Sequence, residues 1–289
     1  MTVATSSLPL ARRSLPLVER KLTAGEIIWF QHAFSIFTNG SGSETEKDGT
    51  TRIGWRQMER VVAEFFKGKG DEDKSFFDVV APYKSNKDIG ISVKSKTLSK
   101  NQFDLLSTTG RTYMELTNSP QLIWDSLRQH HLSRADFKDP KKSGEIGNAV
   151  LDTVESWGLQ AAAVYPSVFP GRILDLDKSL YLCISMSAPI PCAPKLLKTI
   201  PINRRFHIHS YKMQLPRPVK WTKHTELCIR GWDVNGNALY DWYAESGGQL
   251  KYYPPTSDAI FASGIINTTI VPPLSLAQNL KMYWPKAVY

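Results

Sequence analysis

Cysteine is scarce: the 289-residue chain has only Cys183, Cys192 and Cys228, with no CxxC and no Cys/His spacing of the zinc-binding kind. Neither a disulfide framework nor a structural zinc is supported, and a reducing, cytoplasmic setting is expected. Long apolar runs are lacking as well, since nothing approaches the roughly 18 to 20 residues of a membrane span. The opening "MTVATSSLPLARRSLPLVERK" has no continuous apolar stretch of the secretory type and no acid before Glu19. It reads as an N-terminal arm, with an organelle transit peptide as the alternative. No G-x-x-x-x-G-K-[ST], G-x-G-x-x-G or G-x-S-x-G occurs, so nothing points to ATP, a nicotinamide cofactor or a serine-hydrolase triad. His130-His131 and His207-x-His209 have no partners at metal-ligand spacing, and a helix end and a strand face account for them.

Acids are missing locally. Residues 179–225 contain no Asp or Glu, where average composition leads one to expect roughly four. The same stretch carries Lys195, Lys198, Arg204, Arg205, Lys212, Arg217, Lys220 and Lys223. Across the chain 36 Lys and Arg face 27 Asp and Glu, for a net charge of +9. Such a balance makes a polyanion, nucleic acid first, the expected partner. A one-sign tract fits a DNA-facing surface on which Lys and Arg neutralise phosphates; the competing reading is a solvated strand-and-loop region. Lys251, in "SGGQLKYYP" after Gly247-Gly248, is a further candidate for phosphate contact, although a glycine turn into an aromatic core strand explains that segment equally well.

A hydrophobic content of 42% supports a sizeable core. The Gly/Ser/Thr-rich tract at 38–54 reads as a loop, and "WRQMERVVAEFFKGKG" after it as a helix with Trp55, Met58, Val62, Phe65 and Phe66 at three- and four-residue steps, stopped by Gly68 and Gly70. "SFFDVVAPYK" and "IGISVKSK" form a hairpin-like pair, "GRTYMELT" predicts a further strand, and "NSPQLIWDSL" a helix capped by Asn118 or Ser119 with Pro120 in its first turn. Helical periodicity returns at 144–157. Short β-rich runs dominate after that, among them "DVNGNALYDWY" with a hairpin Asn235-Gly236. The fold class is α/β: a central mixed sheet flanked by helices, plus a β-rich C-terminal half. The division reads 1–50 as arm and loop, 51–160 as core, and 161–289 as a β-rich recognition half, with one continuous domain left open.

The polar side of one predicted strand draws attention. In "KDIGISVKSK" (87–96) Ile89, Ile91 and Val93 point one way, and Asp88, Gly90, Ser92, Lys94 and Lys96 the other. Folding the hairpin brings Asp78 beside Ser92 and Lys94. Asp88 shares their parity but is read as marking the turn into the strand. A carboxylate, a hydroxyl and an amine thus converge, which suits Mg²⁺, a hard cation that prefers oxygen ligands, with a cationic group beside the phosphate.

Asp78 in "FFDVVAPY", Ser92-Val93-Lys94 in "GISVKSK" and the preceding helix with Glu59 resemble the PD-(D/E)xK nuclease superfamily, in particular type II restriction endonucleases of an S-x-K kind, over about residues 51 to 130. The resemblance implies that Asp78 binds metal and Lys94 is the catalytic lysine, with Ser92 supporting the site. Asp78 follows Phe77 where the family pattern has Pro, and Ser92 stands where it has a second acid. Another acid is therefore expected: Glu115 in "RTYMELT" first, as a second metal ligand, and Glu59 next, ligating metal or orienting a water. The implied function is Mg²⁺-dependent cleavage of double-stranded DNA at a specific sequence. A palindromic site would favour a homodimer, and a methyltransferase would be the genetic companion. The competing readings are a structure-selective repair or recombination nuclease, a non-catalytic DNA-binding protein and a protein-interaction module.

Overall fold

In the computed structural model of the chain, the residues described are 14–35, 37, 43–45, 51–70, 76–106, 110–117, 119–188, 190–191, 202–245 and 249–268. Asn118, Cys192, Lys195, Lys198 and Gly247-Gly248 lie outside them. In chain order the elements begin with α1 (Ala24–Ser35), a small ribbon of β1 (Ser43–Thr45) and β2 (Thr51–Ile53), and α2 (Trp55–Phe66). They continue with β3 (Lys69–Gly70), β4 (Val79–Lys84), β5 (Lys87–Leu98), α3 (Lys100–Leu106), β6 (Met114–Thr117), α4 (Pro120–Gln129) and α5 (Ser143–Val168). Strands follow: β7 (Ile173–Leu174), β8 (Leu180–Ser187), β9 (Ile190–Pro191), β10 (Ile202–Asn203) and β11 (Arg205–Lys212). The last are β12 (Lys220–Thr225), β13 (Cys228–Trp232), β14 (Ala238–Tyr243), β15 (Leu250–Tyr252) and β16 (Phe261–Asn267).

Two sheets organise these elements. The central one runs β16-β11-β8-β5-β4-β3, with β7 added beside β5. It is mixed: β5 pairs in parallel with β8 and β7, and in antiparallel fashion with β4. A parallel neighbour needs a long crossover, and residues 99–179, including α4 and α5, supply it. The second sheet, β12-β13-β14-β15-β6, is antiparallel throughout. Strands β8, β11 and β16 of the C-terminal half therefore extend the central sheet outward from β5, while β6 from the first half closes the edge of the second.

Alternation along the strands builds two cores. Val79 and Ala81 of β4, Ile89, Ile91 and Val93 of β5, and Leu180, Leu182 and Ile184 of β8 share one face of the central sheet. Helices α1 and α2 cover it with Phe30, Phe34, Met58, Val62 and Phe66. The opposite face contributes Tyr181, Cys183 and Tyr211 to a core shared with α4, α5 and the inner side of the second sheet. Close approach in that core requires glycine at 147, because a Cβ there would lie 2.2 Å from the Trp221 ring.

Local signals explain the helix ends. Helix α2 stops at Lys67, which adopts the left-handed conformation (φ 53°), and the Gly68 N–H reaches back to the Ala63 carbonyl at 2.8 Å. Pro120 opens α4, although the Ser119 side chain makes no capping hydrogen bond. Helix α5 extends well past the predicted 144–157, through Pro166 to Val168. The larger departure concerns residues 14–35, assigned to an arm from sequence. There Thr23 and Glu26 form a reciprocal capping box: the Glu26 N–H donates to Thr23 Oγ1 at 3.3 Å and the Thr23 N–H to Glu26 Oε2 at 2.8 Å. Helix α1 follows from that cap, and Phe34 stacks on Phe206 of the central sheet at 4.1 Å. Among the described residues no helix is long and apolar enough to cross a membrane.

Candidate functional site

Asp78, Ser92 and Lys94 belong to one junction of the central sheet. Asp78 immediately precedes β4 rather than lying within it. Its Oδ2 accepts the Val93 N–H at 2.7 Å and the Ser92 hydroxyl at 3.3 Å. These donors hold the carboxylate against β5. Ser92 is buried, whereas Lys94, two residues on and on the same face, is only partly so.

Helix α2 adds a second carboxyl. Glu59 lies close enough to Asp78 to feel its negative charge, and it feels the positive charges of Lys94 and Arg56. Its pKa is pushed from 4.5 up to about 7, first by burial and then by the negative charge of Asp78, with Lys94 and Arg56 acting in the opposite sense. Ionising Glu59 would leave its charge beside that of Asp78, which is why the proton is held more tightly. The Glu59/Asp78/Ser92/Lys94 group thus joins residues from α2, the β4 approach and β5.

The remaining polar positions of β5 have other uses. Asp88 is buried, and its carboxylate is held by the Arg172 guanidinium, with Oδ1 at 2.5 Å from Nη2, and by the Tyr165 hydroxyl at 2.7 Å. It is thus a buried carboxylate paired with a partly exposed guanidinium, tying β5 to α5 through Tyr165 and to the segment after α5 through Arg172. Gly90 makes room for Phe77, as a Cβ there would lie 2.3 Å from that ring. Lys96 is exposed, and its ammonium lies over the Tyr113 ring, 5.0 Å from the centroid.

Glu115 is located elsewhere. It lies on β6, cross-strand from Lys251 of β15, in the second sheet. It shares a face with Tyr113, whose hydroxyl pKa rises to about 12 through burial and then the Glu115 charge. The Tyr113 ring under Lys96 links β6 to the lysine strand, and the leading charges acting on Glu59 are those of Asp78, Lys94 and Arg56. Glu59 is thus an acid electrostatically coupled to Asp78.

Among the described residues, four of the six cations of the acid-free tract serve the fold. Arg204 is 2% exposed, so it is not presented to a ligand at the surface. Arg205 pairs with Asp104 at 2.8 Å and lies over the Phe103 ring. Arg217 pairs with Asp152 at 2.8 Å and Glu155 at 2.5 Å, and Lys223 donates to the Phe137 carbonyl at 2.7 Å. Lys212 and Lys220 are exposed. Acids absent from a tract in sequence are thus supplied from elsewhere in space.

His207 and His209 are neighbours on β11, their ring centroids 3.9 Å apart, and burial lowers their pKa values to about 4 and about 3. Among the described residues no three His, Cys, Asp or Glu side chains converge as a ready-made metal cluster. A cleft of about 450 Å³ between α4 and α5, lined in part by Trp157, Gln129 and Gln160, contains none of the site residues; its Asp125 and Asp152 are paired with Arg128 and Arg217. No protein family, curated protein or solved structure matches the chain.

Proposed function

We propose that the chain is a Mg²⁺-dependent endonuclease, of the restriction-endonuclease-like kind, that hydrolyses phosphodiester bonds of double-stranded DNA at a specific sequence. One observation supports this reading above the others. Two electrostatically coupled carboxyls, Glu59 and Asp78, stand with the Lys94 ammonium where a helix, a strand approach and a buried β-strand meet.

The donor set fits the metal. Mg²⁺ uses one or two protein carboxylates and keeps waters and substrate phosphate for its remaining positions, so Asp78 and Glu59 suffice as anchors. Val93 and Ser92 both bind the same Asp78 oxygen, Oδ2. When bound, the ion would supply Lewis-acid stabilisation of phosphate charge and acidify a coordinated water. The chain's own groups do the rest. Val93 and Ser92 fix the orientation of Asp78, Glu59 holds or releases a proton near neutral pH, and Lys94 offsets negative charge on the phosphoryl group. Glu115, on the adjoining face, is the reserve acid in this scheme.

Homodimeric action on a palindrome, a companion methyltransferase and a cytoplasmic location accompany this proposal. The test is incubation of long unmethylated duplex DNA with the protein in Mg²⁺ or EDTA. Discrete Mg²⁺-dependent fragments are expected, with Asp78→Asn and Lys94→Ala slower by roughly a hundredfold or more. Cutting by Asp78→Asn at the wild-type rate would show that the site lies elsewhere. Folded protein that binds DNA but never cuts under any divalent metal would favour a DNA-binding role instead.

A further inference from the structure

The outer face of the second sheet has the composition of a ligand surface. Register places Arg230, Asp241, Lys251 and Glu115 in one cross-strand row, on the side opposite the buried Ile229, Tyr240, Trp242 and Tyr252. Beside that row stand the rings of Tyr243, Tyr253 and Tyr113, each only partly buried. Tyr113 and Tyr253 are 5.6 Å apart.

The charges on this face are unevenly committed. Asp241 is satisfied by a two-pronged Arg230 pair at 2.7 and 2.8 Å and by the Tyr253 hydroxyl at 3.2 Å. The Lys251 ammonium lies 4.4 Å from the Tyr243 centroid, as Lys96 lies over Tyr113. Among the described residues neither lysine has a carboxylate within 4.0 Å. Both cations are therefore positioned by aromatic rings and left available to an anion. Lys96 is two residues from Lys94 on the same face of β5, so the surface continues from the candidate cleavage site across β6 to β15 and β14.

We propose that this face binds the DNA strand next to the cleavage site, stacking unpaired bases on Tyr113, Tyr253 and Tyr243 while Lys96 and Lys251 meet its phosphates. Ring faces recognise bases only when those bases are unstacked from their own duplex, whereas ammonium groups recognise the backbone regardless of pairing. The inference rests on the nuclease reading for its position along the DNA, but base stacking is measurable without cleavage.

The experiment uses the full chain in EDTA and a fluorescent duplex with a single-stranded tail, compared with the same duplex whose tail is abasic. Anisotropy titrations are run on wild type, Tyr243→Leu, Tyr243→Phe and Lys251→Gln, with Mg²⁺-dependent plasmid cleavage measured in parallel. The base-containing tail should bind about tenfold tighter than the abasic one. Tyr243→Leu should lose that preference, Tyr243→Phe should keep it, and Lys251→Gln should weaken both tails alike with a shallower salt dependence. Equal binding of the two tails by wild type, or an undiminished preference in folded Tyr243→Leu, would overturn the proposal even if plasmid is cut. A base preference without cleavage would support the stacking face and sink the nuclease reading alone.

Discussion

Replacing Glu59 by Gln isolates the electrostatics of the candidate site without touching DNA. In the folded protein the Glu59 carboxyl is displaced from 4.5 to about 7, with burial the leading cause and the Asp78 charge the next. The folded pKa is raised, so the folded state holds a proton that the unfolded chain releases. The corresponding stabilisation is complete below about pH 4.5 and is lost as pH rises through 7. Ten-fold in proton affinity is worth about 1.4 kcal/mol, so the full displacement is of order 3 kcal/mol; half-burial and solvent screening reduce the expectation to about 1–2 kcal/mol. Glutamine keeps the shape but has no proton to lose. In EDTA, the stability difference between Glu59→Gln and wild type should therefore be smallest near pH 4.5 and grow to about 1–2 kcal/mol in favour of the variant by pH 8. Urea unfolding at a series of pH values reads this directly, because titrations common to both proteins cancel in the difference. Parallel stability curves across that range would refute the coupling between Glu59, its burial and Asp78.

Two further stability predictions test the frame around the site. Arg172→Ala removes the guanidinium from the buried Asp88 carboxylate, which should cost about 3–5 kcal/mol, whereas the double change Asp88→Asn, Arg172→Ala should recover part of it. Denaturant midpoints of the single and double variants check this; a negligible loss in the single variant would show that the pair does not anchor β5. Among the described residues, neither buried ring nitrogen of His207 has a hydrogen-bond partner, and burial holds its pKa near 4. The depressed value means the unfolded chain takes up the proton first, so stability is full above pH 6.5 and falls as pH drops from there toward 4. His207→Leu should flatten that acid limb in thermal melts, and an unchanged slope would contradict the assignment.

Much of the fold was legible because alternation and helical spacing are local. The apolar positions 89, 91 and 93 do share a core face, α2 spans the predicted periodicity, and Asn235-Gly236 does form the β13–β14 turn, with Gly236 at positive φ. Helix α1 went unread because residues 1–50 read as arm and loop, although "TAGE" before "IIWFQHAF" contains a capping box. The hairpin logic that drew Asp78 toward Ser92 corresponds to the observed contact, since β4–β5 register is a short-range property.

What sequence could not supply was which distant charges meet. Strand parity put Asp88 with Ser92 and Lys94, yet Arg172 and Tyr165, some eighty residues on, make it an anchor. The acid-free tract 179–225 looked uniformly basic, but Asp104, Asp152 and Glu155 from other elements neutralise Arg205 and Arg217. The sequence ranks Glu115 ahead of Glu59 as the acid beside Asp78, whereas topology puts Glu115 on β6 of the second sheet and Glu59 on α2 over the central one. Periodicity, caps and turns depend on neighbours in sequence and so were set by sequence alone. Electrostatic partnership falls off with distance in space, and only tertiary structure decides which residues are close.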